Sequence, residues 1–364
     1  MLRWFRIDLR QRLRMAGWAA VLAGGAILLA AGCEEDPIEG IPLADPGAKA
    51  PMHTPGYIAF VSAGRRDPLW PVLETSAQRY HQTLGTIETR YLTPAGDSSK
   101  DQIALLESLT EVALRGVCVQ IRDPVALEPT LHKLYERGVR IVSMVQPAPV
   151  EWRVGHAGFD EKQVGEMLAE AAADALGEKG TLMVLHAGSE HPVYGERLWA
   201  FRDRMKWYPQ IEVLAWLDCE GNGRRAREIV RERFARFPRL SAFIAVDDWP
   251  FRNVGITEDA LPTGSRCITV GGYPRHWGLV RNEISPRIVA ANYRDLGARA
   301  LQFCEVAIGD ESRIANLYHA PLRVIQPMNL DAYIADWTSW ARPDRDQPKP
   351  VPGTDTSLPT VSLP

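Results

Sequence analysis

The 364-residue chain lacks a charge excess, because 42 lysines and arginines stand against 45 aspartates and glutamates, a formal net charge of −3. Such a balance supplies no field to collect nucleic acid or an anionic membrane surface, so nucleic acid is not an expected partner. Cysteines are few: five in all, with no CxxC spacing, which excludes a zinc ribbon or a thioredoxin-like redox pair. The eight histidines show no HExxH or other ligand spacing, and no metal is assigned. There is no GxSxG elbow, no P-loop and no GxGxxG after the first strand-like run, and Gly221-Asn222-Gly223 alone is a turn signal. An enzyme is therefore not expected, and no cofactor is implied.

What is present begins at the N-terminus, where Arg3, Arg6, Arg10, Arg12 and Arg14 precede an apolar, small-residue run from Met15 to Ala31. That is the layout of a secretory signal, and its 17 residues lie at the short limit for a membrane span. The run ends Leu29-Ala30-Ala31-Gly32-Cys33, which resembles the lipobox of bacterial lipoproteins, although the leucine sits one place further upstream than is usual. The resemblance implies a signal peptide over 1–32, a lipidated Cys33 and a protein held outside the cytoplasm on a membrane. Residues 33–55, with acids, prolines and glycines, read as a flexible tether, and the Pro-rich stretch 342–364 reads as a disordered tail. The other cysteines, Cys118, Cys219, Cys267 and Cys304, read as buried thiols, with no pairing deducible from spacing.

Between these ends, roughly 300 residues suffice for two lobes with separate cores. From Gly56 onward, β-rich runs alternate with helical patterns, and that alternation predicts parallel sheets covered by helices. One doubly wound unit runs from the strand at 57–62 to the strand at 139–145, and a second begins near Phe159. The helix Arg224 to Phe237 is explicit: Ala226, Ile229, Val230 and Phe234 share a face, and six arginines occupy the others as a solvated surface. In open α/β sheets, residues just beyond the carboxyl ends of strands line the ligand crevice. That rule selects Arg65, Arg66, Asp67 and Trp70, then Gln146, then His186 and Glu190. It also selects Asp247, Asp248 and Trp249, and finally Tyr273, Arg275, His276 and Trp277.

Over residues 56 to 330 the order of landmarks resembles the type I periplasmic sugar-binding proteins, the ribose- and galactose-binding family. Asp67-Pro68-Leu69-Trp70 is similar to that family's Asn-Pro-Phe-Phe segment, Gln102 opens the second helix as there, and Gly138-Val139-Arg140-Ile141-Val142 resembles Gly-Ile-Pro-Val-Val. Arg197, four residues before Phe201, Asp247-Asp248 at a strand end, and Val270-Gly271-Gly272-Tyr273 continue the likeness. The resemblance implies a lobe of 56–158 plus 292–320, a second of 159–291 plus 321–341, and three hinge crossings near Phe159, Asn292 and Pro321. It implies a small polar ligand held by Asp67, Trp70 and Gln146 from the first lobe and by Arg197, Asp247 and Tyr273 from the second. Closure on that ligand would then be read by an ABC-type permease, or by a membrane sensor if the chain signals instead.

Departures bear on the ligand. The family's Asp-Arg pair after the fourth strand is replaced by Val145-Gln146, and the aspartate after the Gly-Phe step by Tyr273. The late hinge glutamine falls near Ala291 or Asn292. Trp70 would stack on a sugar face or an aromatic ring, Arg197 would present its planar fork, and Asp67 and Asp247 would accept from hydroxyl or ammonium groups. A polyol, a modified sugar and a zwitterion all fit such a set.

Overall fold

The computed structural model describes residues 55–188, 191, 193–251, 266–310 and 316–342. Cys33, the tether, Glu190 and the tail beyond Arg342 lie outside the described residues. The first lobe is built from β1 (Tyr57–Val61), α1 (Trp70–Leu84), β2 (Glu88–Leu92), α2 (Ser99–Ser108), β3 (Leu114–Gln120), α3 (Pro124–Glu136), β4 (Arg140–Met144) and β5 (Gly155–Gly158). The second lobe holds α4 (Glu161–Leu176), β6 (Gly180–His186), α5 (Tyr194–Met205), β7 (Ile211–Asp218), α6 (Gly223–Arg236), β8 (Ala242–Ala245), β9 (Arg266–Gly271), α7 (Trp277–Arg281) and β10 (Arg287–Ala291). The chain then gives α8 (Leu296–Gly309) and β11 (Asn316–His319) to the first lobe, β12 (Leu322–Ile325) to the second, and ends in α9 (Leu330–Trp340).

The first sheet runs β11-β5-β4-β3-β1-β2 and is parallel throughout. The second runs β12-β10-β9-β8-β6-β7, parallel except where β12 pairs antiparallel with β10. Helices cover both faces of a parallel sheet, so its strands read as unbroken apolar runs; every residue of β1 is buried. In each lobe the order reverses beside the first strand, between β1 and β3 and between β6 and β8. Such a switch point leaves a crevice beyond the carboxyl ends of the strands.

Two glycines let the covering helices approach closely. A Cβ on Gly297 would lie 2.0 Å from the Leu73 carbonyl oxygen where α8 meets α1, and one on Gly165 would lie 2.2 Å from the Arg197 carbonyl oxygen where α4 meets α5. The second contact places α5 beside the first turn of α4, and thereby Arg197 beside Glu161. The chain crosses between lobes after β5, after β10 and between β11 and β12, and the crossings bond to one another: Ala320 N donates to Gly158 O at 2.9 Å and Asn292 N to Pro321 O at 2.8 Å.

Sequence reading omitted β5, β11 and α9. The last of these packs on both lobes. Arg79 of α1 donates to the Arg342 carbonyl at 2.9 Å, while Asp331 pairs with Arg281 at 3.0 Å and Asp336 with Arg323 at 2.8 Å. Cys118, Cys219, Cys267 and Cys304 are buried and free. Among the described residues no helix is long and apolar enough to cross a membrane.

Candidate functional site

A cavity of about 200 Å³ lies at the switch point of the first sheet. Asp67 and Arg66 reach it from the loop after β1, Asp97 from the loop after β2, Gln120 and Arg122 from the end of β3, and Val145 and Gln146 from the end of β4. Tyr273 and Arg275 close it from the loop after β9, so both lobes supply wall. Gln102, fully buried on α2, ties the wall together: Nε2 donates to Ser62 O at 2.8 Å and Gln120 O at 2.7 Å, and Oε1 accepts from Arg122 N at 3.2 Å. One amide thus holds the carboxyl ends of β1 and β3 in register.

The local chemistry at each wall residue follows from the turn that carries it. Asp67 Oδ1 accepts from Leu69 N at 2.9 Å, which closes an Asx-type turn ahead of α1, and Pro71 occupies the first turn of that helix. Val145 has φ of 68°, and Gln146 N donates to Met144 O at 2.8 Å across it, the hydrogen bond of a γ-turn. This sharp reversal ends β4 and sends Gln146 across the cleft. Arg66 grips Asp97 through its backbone N–H at 2.8 Å and Nε at 2.9 Å; that backbone bond is the main cause holding the Asp97 carboxyl below its usual range. Arg275 pairs with the buried Asp248 and lies over the Tyr273 ring, 4.7 Å from its centroid. Burial pulls the Arg275 guanidinium down, and Asp67 from the opposite lobe and Asp247 oppose that pull.

Of the six expected ligand residues, Asp67, Gln146 and Tyr273 meet at this cavity, whereas Trp70, Arg197 and Asp247 do not line it. Trp70 is 8 % exposed and packs on Phe60 with ring centroids 5.6 Å apart, in the core of the first lobe. As the first residue of α1 its side chain turns back onto the sheet rather than into the cleft. Arg197 is 2 % exposed, and its fork is spent on the protein: Nε reaches Glu161 Oε2 at 2.7 Å, Nη1 reaches Val246 O at 2.6 Å and Asp247 Oδ1 at 3.1 Å. Burial alone would depress this guanidinium, but Glu161 and Asp247 together hold it above the usual arginine range. Glu161 is pushed up, because its burial outweighs its share of the one cation that serves two carboxylates. Arg197 accordingly positions Asp247.

Asp247 in turn is bonded to Tyr194, whose Oη lies 3.0 Å from Asp247 Oδ2, and Gln146 Nε2 lies 3.0 Å from the same phenol oxygen. The two lobes are therefore joined directly through Gln146 and Tyr194. Sequence reasoning missed Tyr194, Asp97, Gln120 and Arg122. Arg122 follows β3 and would have been selected by the strand-end rule already applied to the other strands. Tyr194 opens a helix after a loop, and no pattern in the sequence marks it.

Comparison with known proteins gives the geometry its context. A search of curated proteins returns no match. Among solved structures, a sugar-binding protein of a sugar ABC transporter from Bacillus halodurans superposes with a TM-score of 0.65 at 20 % identity, over 76 % of this chain and 99 % of that one. An ABC transporter solute-binding protein from Agrobacterium vitis bound with α-D-tagatopyranose gives 0.66 at 15 %, over 78 % and 98 %. Another from Bacillus halodurans, with bound myo-inositol, gives 0.64 at 13 %, over 78 % and 99 %. These similarities establish the architecture of two α/β lobes. The family described as periplasmic binding protein domain matches residues 58–310, which include both switch points and every wall residue of the cavity. That family comprises extracytoplasmic binding proteins rather than enzymes. With most of its length so matched and two doubly wound lobes meeting at a polar cleft, the chain belongs to the periplasmic binding protein domain family, in its type I form.

Proposed function

We propose that the chain is an extracytoplasmic receptor that closes its two lobes on a small hydroxylated ligand, a sugar or polyol, and presents it to an ABC-type importer. The observation that carries this reading is the cavity at the β1/β3 switch point, walled by Asp67 and Gln146 from one lobe and Tyr273 and Arg275 from the other. A carboxylate accepts from hydroxyls, an amide does either, a guanidinium donates, and a phenol ring covers an apolar sugar face. At about 200 Å³ the cavity is smaller than those that take drug-sized molecules, which suits a monosaccharide or cyclitol. Similar proteins of the same fold are described with tagatose and myo-inositol bound. In this reading Cys33 carries the lipid, 34–55 is the tether, and Arg197 and Asp247 form the rigid support beneath the second-lobe wall.

The test is a thermal-shift screen of the mature protein with D-tagatose, myo-inositol, common pentoses and hexoses, and amino acids as controls. A ligand at a hundred times its Kd adds about 2.7 kcal/mol to the native state, a shift of several degrees. Stabilisation by one or more sugars or cyclitols is expected. A flat response across the panel would contradict the reading and favour an interaction or signalling protein on the same fold. Radiolabel uptake by cells with and without the gene then checks the importer step.

A further inference from the structure

The five groups that cross the cleft, Glu161, Arg197, Asp247, Tyr194 and Gln146, have a direction set by which of them carries a proton. Asp247 is the counter-ion of Arg197 and can only accept. Tyr194 has one phenolic proton, and with Oη 3.0 Å from Asp247 Oδ2 that proton is donated to the carboxylate. The phenol oxygen is then left to accept, so the Gln146 amide must turn its NH₂ end toward it, as the 3.0 Å contact from Nε2 has it. A free amide could face a ligand with either end. This one has a single orientation open to it, and its Oε1, on a residue that lines the cavity, is buried with no partner among the described residues.

We propose that Gln146 Oε1 is an obligatory acceptor for a ligand hydroxyl, and that Tyr194 is the positioning residue that withholds the opposite amide orientation from the site. The proposal rests on the reading of the cavity as a sugar or polyol site and names the atom that sets specificity there. An unpaired buried acceptor costs the complex its full desolvation, so a ligand that cannot donate at this point is rejected. Tyr194 itself is set back from the cavity: it is 6 % exposed, does not line the cavity and stacks on His191 at 4.2 Å. Tyr194→Phe therefore preserves the packing while releasing the amide to rotate.

The experiment compares wild type, Tyr194→Phe and Gln146→Leu by calorimetry, using myo-inositol, D-tagatose and their mono-deoxyfluoro analogues. Fluorine there replaces one hydroxyl at similar size and donates nothing. Wild type is expected to prefer the hydroxyl over fluorine by about 100-fold at one ring position, the upper range of what an unsatisfied buried acceptor costs. Tyr194→Phe should narrow that ratio at least tenfold, since the freed amide can present its NH₂, and Gln146→Leu should erase it. An unchanged ratio in Tyr194→Phe at every position overturns the proposal. The unliganded protein supplies a separate readout: the ¹⁵N–¹H signals of the Gln146 side-chain amide, assigned by their loss in Gln146→Leu, should move in Tyr194→Phe. If they move but no sugar binds, the sugar reading fails while the relay stands; if they stay, the relay is refuted whatever binds.

Discussion

Val145 sits at the centre of a γ-turn with φ of 68°, a conformation that a β-branched residue adopts only under constraint. Holding it there costs about 1–3 kcal/mol, and what the strain secures is the aim of Gln146 across the cleft. Val145→Gly is expected to leave the melting temperature unchanged or raised, because relief of strain offsets the entropy of glycine, while ligand affinity falls several-fold as Gln146 loses its fixed direction. Thermal melts and calorimetry on the one variant check both halves. Arg197 yields a second residue-scale expectation. Arg197→Met strands Glu161 and Asp247 in a buried site and should cost about 3–5 kcal/mol at neutral pH, read by denaturant titration. The sign of its pH dependence follows from Glu161, whose carboxyl already sits above its ordinary 4.5 in the native protein and rises further without the guanidinium. A carboxyl raised on folding holds its proton more tightly in the native than in the unfolded state, so the deficit shrinks as pH falls from above the raised value toward 4.5. A deficit that grew on acidification would contradict this.

At the scale of elements, most strands and helices were legible because a parallel sheet demands continuous apolar runs and its covering helices a 3.6-residue stripe. The elements that escaped lacked those marks or were obscured. β5 reads Gly155-His156-Ala157-Gly158, with no β-branched residue, and is a strand only because β4 and β11 flank it. In α9 the apolar residues at 330, 333, 334, 337 and 340 have helical spacing, yet in the sequence the 321–341 segment reads only as a return to the second lobe, with its helix unmarked. Its function is visible only in the packing: Trp337 meets Tyr273 edge-on at 6.0 Å and Tyr293 at 5.6 Å, so the C-terminal helix backs a wall of the cleft. Trp337→Ala should cost about 3–5 kcal/mol and weaken ligand binding as Tyr273 loses its support. Melting curves and a sugar titration compare it with Trp340→Ala, which removes a ring of equal size lacking the Tyr273 contact. The candidate site was half legible. The strand-end rule reached Asp67, Gln146, Tyr273 and Arg275, but it could not tell that Trp70 turns inward onto Phe60 or that the Arg197 fork is consumed by Glu161 and Asp247.

For the whole molecule, three bonded crossings link the lobes, α9 straps their flank, and a polar contact, Gln146 to Tyr194, joins them beside the cavity. A ligand shifts such a two-lobed protein toward closure by as much as its contacts differ between the open and closed forms. In the proposed reading, Asp67 and Gln146 on one side and Tyr273 and Arg275 on the other, which wall the same cavity, would complete their contacts with a ligand only when the lobes meet. The direct measurement is calorimetric titration of the sugar or cyclitol that most stabilises the wild type into Asp67→Asn and Gln146→Leu, with circular dichroism to verify that each is folded. The account predicts that affinity falls at least tenfold in each variant while the melting temperature of the unliganded protein stays within a few degrees. Wild-type affinity in both folded variants would place the ligand elsewhere and contradict it.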